Sequence, residues 1–513
     1  MKLTNPTQNK PPQDLRTFIE QLRAAGELIE ITEPVRAHLE ITEITDRVSK
    51  QQGASNKALL FTHVLDEAGR KYPMPVLINA MGSHQRTLMG LGVANYETVQ
   101  KRIEALIKPD VLSGGGLFQK LGMLPKLAEL NNIFPRQCSG KTAPCQEVVI
   151  TDPSQAMLDS LPVLTCWPDD GGPYITMPII IVREPGADGK QGPRNVGMYR
   201  MQKFDNATTG MHWQKHHDGN RIYENARRLG KDRVEVAVAL GAPPHVIYAA
   251  TAPLPPGIDE LMLAGFIHNK PVEMTPCKTI DLDVPAHSEI ILEGYVLLDE
   301  LRREGPFGDH TGVYSLADDY PVFHITAMTH RQNPIYQTTI VGKPPQEDCY
   351  LGKATERIFL PLLKLFISEI VDMNLPWEGV FHNCVILSID KRFPGHGKKV
   401  MSSLWGFGQL MFSKYVIVVD KHVDVQNLSE VAWHVFNHTD PKRDMMFADG
   451  PLDMLDHATP MPGYGSKVGI DATRKWESEG FTREWPEELV MSPEIQQQVS
   501  QKWGQLFGKS VQV

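Results

Sequence analysis

Apolar residues recur at helical spacing at Leu15, Phe18, Ile19 and Leu22, with Asp14 in place to cap the start and Gly26 to end the run. The spacing predicts a first helix from Leu15. Leu28-Ile29-Glu30-Ile31 then alternates as a half-buried strand does, Glu40 to Val48 reads as a second helix, and Pro75-Val76-Leu77-Ile78 reads as a further strand. Together they predict an N-terminal α/β region over residues 1–140, an ordinary domain size. From about Cys145 the texture changes to short β-rich runs between prolines and glycines: Val148-Val149-Ile150, Met177 to Val182, Val234 to Leu240 and Glu289 to Glu293. That pattern predicts a β-barrel or sandwich over residues 141–331. Residues 332–513 mix helix-like stretches, Leu362 to Val371 and Lys399 to Phe412, with the buried-strand run Tyr415 to Val419, and so predict a C-terminal α/β domain.

A chain of 513 residues exceeds what one hydrophobic core usually serves, which agrees with two or three domains. Its 52 basic and 61 acidic residues leave a net charge of −9, which argues against nucleic acid as the principal partner, although a local basic pocket for a phosphorylated cofactor remains compatible. The six cysteines form no C-x-x-C pair, so neither a zinc ribbon nor a disulfide scaffold is expected, and a reducing cytoplasm fits best. No apolar run reaches the roughly 20 residues of a spanning helix. Peripheral association with the inner face of the cell membrane stays open.

Candidate chemistry concentrates in the middle of the chain. Glu304-Gly-Pro-Phe-Gly-Asp309-His310-Thr311-Gly312 carries two carboxylates five residues apart on a backbone that Gly305, Pro306 and Gly308 keep out of any helix. A loop fixed by its scaffold can aim two acids at one substrate. Two upstream islands, Arg194 to Gln202 and Met211 to Gly219, add an amide oxygen, imidazoles and a cation. Asn195, His216 and Glu260 offer the oxygen donors and single imidazole that a hard divalent ion accepts, though they lie too far apart in sequence for spacing to define a site. Cys166 has no histidine near it in sequence and reads as a structural cysteine rather than a nucleophile.

These islands, with Thr165-Cys166-Trp167-Pro168 and Glu260 to Gly265, resemble the UbiD family of decarboxylases, in the same order and over nearly the whole chain. The resemblance implies a central split β-barrel that holds prenylated FMN, flanked by the N-terminal α/β region and a C-terminal α/β domain that mediates homo-oligomerisation, as dimer or hexamer. It implies Mn²⁺, or Mg²⁺, on Asn195, His216 and Glu260, clamping the flavin phosphate with K⁺ nearby. Met198, Tyr199, Arg200, His212, Trp213, Gln214, His217 and Asp218 fall on flavin-contacting positions. Where this chain has His217 and Asp218, the family pattern has arginine and glycine. Lys398, in a glycine-flanked stretch, is a further candidate for phosphate.

On the same resemblance, Arg200 pairs with Glu304 and holds it ionised, while Asp309, expected to be less strongly paired, carries the proton that replaces CO₂. Expulsion of CO₂ from an aromatic ring needs an electron sink that no side chain supplies, so the cofactor must form a covalent adduct with the substrate. Asp rather than Glu at 309 points to a hydroxyaryl acid, and 4-hydroxy-3-polyprenylbenzoate in ubiquinone biosynthesis is the leading expectation. A (de)carboxylase of a smaller aromatic or heteroaromatic acid and a non-catalytic flavin-binding subunit are the alternatives. A separate flavin prenyltransferase would supply the cofactor.

Overall fold

The computed structural model describes residues 11–51, 53–107, 133–138, 143–152, 154–155, 157–186, 191–214, 218–255 and 257–507. Helix α1 (Leu15–Ala24) starts where expected: Asp14 accepts from the Thr17 amide at 2.8 Å, and Leu15, Phe18, Ile19 and Leu22 form its buried stripe. Strand β1 (Leu28–Ile31), helix α2 (Glu40–Ser49), strands β2 (Ala58–Phe61) and β3 (Val76–Ile78), and helices α3 (His84–Leu91) and α4 (Tyr96–Ile107) complete the N-terminal region.

The central unit is an antiparallel sheet of seven strands. In chain order they are β4 (Val148–Ile150), β5 (Ile179–Pro185), β6 (Gln191–Met198), β7 (Thr208–Gly210), β8 (Arg233–Leu240), β9 (Ile290–Glu304) and β10 (Asp318–His330). They pair in the order β6-β5-β8-β9-β10-β7, with β4 also on β10. Both faces are buried. Val236, Val238 and Leu240 enter one apolar cluster with Ile180 and Leu292, while Ala237 and Ala239 enter another with Ile181 and Ile291. Burial on both faces explains why β8 reads as a continuous apolar run from Val236 to Leu240 instead of alternating there. The end strands of the path, β6 and β7, do not pair with each other, so among the described residues the sheet is open.

Strand β9 runs 15 residues and ends at Glu304, much further than its apolar start predicts. Gly294 permits its close run beside β10, since a Cβ there would stand 1.8 Å from the His324 carbonyl oxygen. Helices α5 (Asp218–Arg228) and α6 (Glu260–His268) flank this unit. Strand β11 (Tyr336–Gln337) returns to the N-terminal region, pairing parallel with β3 in the sheet β1-β2-β3-β11.

The C-terminal unit departs from its predicted elements. Helix α7 spans Glu347–Phe366, and Ile370–Asn374 is a strand, β12, so the apolar stretch Leu362 to Val371 is the end of a helix and the start of a strand. It pairs with β13 (Cys384–Ile389), which is followed by helix α8 (His396–Leu404), strand β14 (Tyr415–Asp420), helix α9 (Leu428–His438) and strands β15 (Met445–Pro451) and β16 (Tyr464–Asp471) in the sheet β12-β13-β14-β16-β15. Helix α10 (Pro493–Phe507) buries none of its residues. No described helix is long and apolar enough to cross a membrane.

Candidate active site

Three segments of the central unit converge on one buried ion cluster. Arg200 follows β6, His212 follows β7, and Glu304 ends β9. Arg200 Nε donates to Glu304 Oε1 at 3.0 Å, and its Nη1 donates to Asp309 Oδ2 at 2.6 Å. The guanidinium lies over the Phe307 ring, 4.4 Å from the centroid, with Tyr174 beyond. A planar fork can serve two acids at once in a way a lysine cannot.

His212 supplies the second partner of Glu304, Nδ1 to Oε2 at 2.5 Å, and Gln214 Nε2 donates to His212 Nε2 at 3.2 Å. Burial and the Arg200 charge hold the His212 pKa below its ordinary value. The ring is therefore neutral, with its proton on Nδ1. Burial would raise the Glu304 pKa, but the bond from His212 and the Arg200 cation outweigh it and hold the acid below the usual range.

Asp309 is as firmly paired as Glu304, contrary to expectation. Besides Arg200 it engages the very next residue: Oδ1 accepts from the His310 amide at 2.8 Å and from His310 Nδ1 at 2.9 Å. Burial works against its ionisation, yet His310 and Arg200 hold its pKa well below the ordinary value. In return His310 is raised above its own, the acid overcoming the cost of burial. His310 Nε2 meets His382 Nε2 at 2.9 Å, and burial lowers His382 to about 4. A protonated His310 donating from both ring nitrogens, to Asp309 and to a neutral His382, satisfies all of these contacts.

The acid loop is pinned by residues for which the sequence suggested no such role. Gln202 Oε1 accepts from the Gly305 amide at 2.8 Å and from the Tyr174 hydroxyl at 3.1 Å, while its Nε2 donates to the Gly171 carbonyl at 2.6 Å. Asp170 Oδ1 accepts from the Gly308 amide at 2.8 Å. Trp167 packs against Gly308 so closely that a Cβ there would lie 2.1 Å from the indole. The turn-forming run Asp169-Asp170-Gly171-Gly172 was the available signal, since such residues bond to nearby amides. Cys166 is fully packed, and burial raises its thiol pKa, which fits a structural cysteine.

A second constellation lies five residues upstream of Arg200, on β6 itself. Asn195 is on β6 and Glu260 opens α6, capped by Asp259. Glu260 Oε1 accepts from Asn195 Nδ2 at 3.1 Å and its Oε2 from the Val196 amide at 2.8 Å, while the buried Asn195 Oδ1 has no partner. Both residues line a small cleft with Glu184, Arg194, Asp218 and Arg221. Burial raises the Glu260 pKa to about 7. An orphaned amide oxygen beside a carboxylate with no ion-pair partner among the described residues is a donor set that fits a hard divalent ion. Five strand residues span at most roughly 17 Å, which sets the reach between this cleft and Arg200.

A carboxyl whose folded pKa lies above its unfolded value contributes stability that is present below the unfolded value and lost as pH rises through the folded one. The metal-free protein should therefore lose roughly 3 kcal/mol between about pH 4.5 and pH 7 on account of Glu260. Glu260→Gln should be more stable than the metal-free wild type at pH 8 and equal to it at pH 4, because Asn195 can turn its free Oδ1 toward the new amide. Thermal melts in chelator at both pH values read this directly, and a variant that melts lower at pH 8 would contradict it.

Met198 closes β6 and packs half-buried at the edge of an apolar cluster, while Tyr199 is half-buried with its ring against Gly197. Trp213 is buried in the core beside Tyr223. Asp218 begins α5 and accepts from Arg221 Nε at 3.1 Å. His216 and His217 lie outside the described residues. Lys398 is exposed on α8 in the C-terminal unit, and no contact joins it to either constellation among the described residues. Arg194 and Arg221 are the cations that line the cleft instead.

Three family models match the chain: the 3-octaprenyl-4-hydroxybenzoate carboxy-lyase N-terminal domain over residues 19–106, the Rift-related domain over 136–344 and the C-terminal domain over 349–472. Uncharacterized proteins of Archaeoglobus fulgidus and Aquifex aeolicus are each 47% identical, over 96% of this chain and 98% of theirs. Among solved structures, vanillic acid decarboxylase of Sedimentibacter hydroxybenzoicus in its closed form superposes with a TM-score of 0.80 at 28% identity, covering 96% of this chain and 98% of that one. An evolved dimeric form of the UbiD-class enzyme HmfF from Pelotomaculum thermopropionicum, in complex with prFMN, gives 0.74 at 27% identity, covering 94% and 98%.

Proposed function

The chain belongs to the UbiD family of carboxy-lyases, and from that premise we propose that it removes CO₂ from 4-hydroxy-3-polyprenylbenzoate with prenylated FMN as cofactor. The observation that carries the chemistry is the buried Arg200, Glu304 and Asp309 cluster, in which one guanidinium serves two acids. Asn195 and Glu260, with His216, would hold Mn²⁺ or Mg²⁺ against the flavin phosphate, and the central sheet would form one wall of the split barrel around it. HmfF, in complex with prFMN, supports this choice of cofactor. Bound there, prenylated FMN supplies the electron sink that the departing carboxylate requires.

The protein's own groups then account for charge and protons. Arg200 keeps both acids aimed and ionised. Glu304, fixed by Arg200 and His212, places a full negative charge beside the reacting ring. Loss of CO₂ leaves an electron pair on the ring carbon, and Asp309 delivers a proton to it that it draws from His310. This refines the expected division of labour: Asp309 conducts the proton, and the group that stores it near neutral pH is the raised imidazole beside it.

The rim of the acid loop favours a substrate with an apolar tail. Val313, Tyr314 and Leu316 follow Asp309 directly and are 40%, 36% and 88% exposed. Each CH₂ of a prenyl chain laid on such a surface is worth up to about 0.8 kcal/mol. Protein co-expressed with a flavin prenyltransferase should show kcat/KM about tenfold or more higher for 4-hydroxy-3-prenylbenzoate than for 4-hydroxybenzoate, measured by CO₂ release. The rate should fall on the alkaline side as His310 gives up its proton. Equal or better use of the unprenylated acid would favour the small-acid reading, which the likeness to vanillic acid decarboxylase supports.

A further inference from the structure

Away from the acid cluster, the C-terminal unit gathers three histidines and a glutamate. Helix α9 carries His434 and His438 one turn apart, His422 sits in the turn after β14, and Glu488 comes from the irregular segment between β16 and α10. Glu488 Oε1 lies 3.5 Å from His422 Nε2 and 3.8 Å from His434 Nε2. Ligands about 2.1 Å from a tetrahedral divalent ion stand about 3.4 Å from one another, so Glu488 is close to a zinc-type spacing from both imidazoles, and the three ligand atoms lie within 4.8 Å of one another.

The surroundings are also those of a ligand set. The His434 side chain is 3% exposed, and its Nδ1 meets His438 Nδ1 at 3.0 Å, which fixes the ring and leaves Nε2 facing Glu488. His438 is held edge-on between Trp433 and Trp485, with centroids 5.0 and 5.3 Å away. A metal-binding imidazole usually has its second nitrogen fixed in this way. Among the described residues no lysine or arginine forms an ion pair with Glu488.

We infer that His422, His434 and Glu488 form a zinc-type site, two imidazoles and one carboxylate with a fourth position open to water, that pins the segment leading to α10 onto helix α9. This is separate from the Asn195 and Glu260 cleft in both place and chemistry, since nitrogen donors favour Zn²⁺ where oxygen donors favour Mn²⁺ or Mg²⁺. The bound ion would hold in register the chain that leads to α10, whose Ile495, Val499, Leu506 and Phe507 are exposed.

Cobalt(II) is the probe, because tetrahedral Co²⁺ absorbs strongly in the visible and octahedral Co²⁺ only weakly. Metal-free full-length protein titrated with CoCl₂ should develop the intense spectrum at one ion per chain, and ZnCl₂ should bleach it. Glu260→Gln should keep the spectrum. His422→Ala and Glu488→Gln, both at exposed positions that should not affect folding, should lose it, as should His434→Ala. No intense absorption in the wild type would overturn the proposal, and so would a full spectrum in His422→Ala and Glu488→Gln.

Discussion

Glu304→Gln should lower turnover by about a thousandfold, within the range by which general acid and base groups act, while the protein still binds its flavin. The side chain keeps its shape but loses the charge that Arg200 and His212 are arranged around. Two donors, Arg200 Nε and His212 Nδ1, converge on its two oxygens at 3.0 and 2.5 Å. A glutamine offers one oxygen and one NH₂, so one of those donors must face another donor. The resulting cost of about 1–3 kcal/mol falls on a buried contact. The measurement is CO₂ release at saturating acid, alongside the visible absorption of the bound cofactor. Wild-type turnover in the variant would remove Glu304 from the chemistry, whereas lost turnover with lost flavin absorption would assign it to cofactor binding.

Much of the fold was legible because it is local. Asp14 and the stripe Leu15, Phe18, Ile19 and Leu22 determine α1 within ten residues, and the apolar run Val234 to Leu240 marks β8. The length of β9 was not legible, since its run is broken by Glu293, which looks like a strand end. The structure buries Glu293 and satisfies it with the amides of Lys278 and Thr279, at 2.8 and 2.7 Å, from a segment that no local pattern connects to it. Helix α7 and strand β12 merged into one predicted helix because Leu360, Leu363, Ile367 and Ile370 share one apolar cluster and keep helical spacing across the break.

The candidate site divides along the same line. The loop that presents Glu304 and Asp309 is written in its glycines and proline, and the pairing of Arg200 with Glu304 followed from resemblance. What failed was the ranking of the two acids. Asp309 was expected to be the weaker partner, yet His310 folds back on it from the adjacent position, a contact that depends on χ angles and not on spacing. Gln202 and Asp170 escaped notice for a different reason: each acts on backbone amides of a segment more than 100 residues away, and polar side chains of that kind carry no periodicity.

Arg200→Ala should cost about 3–5 kcal/mol, because it leaves two buried carboxylates without the cation they share. The pH dependence separates this cause from simple loss of packing over Phe307. In the wild type Glu304 and Asp309 have lowered pKa values, so their stabilisation is present above the unfolded value and lost only as pH falls through the folded one. In the variant Glu304 keeps His212 and Asp309 keeps His310, but burial meets less opposition without Arg200, so both pKa values move upward and less of that stabilisation is present as pH rises. The two effects have the same sign. The gap between wild type and variant should be widest at pH 8 and narrow steadily toward pH 4, in thermal or urea unfolding of flavin-free protein. Arg200→Lys should recover part of the gap at pH 8, since it restores the charge, but little activity, since one ammonium cannot hold both acids in the geometry of the guanidinium fork. A gap that stays constant with pH would mean that Arg200 stabilises the site through its contact with Phe307 and not through its charge.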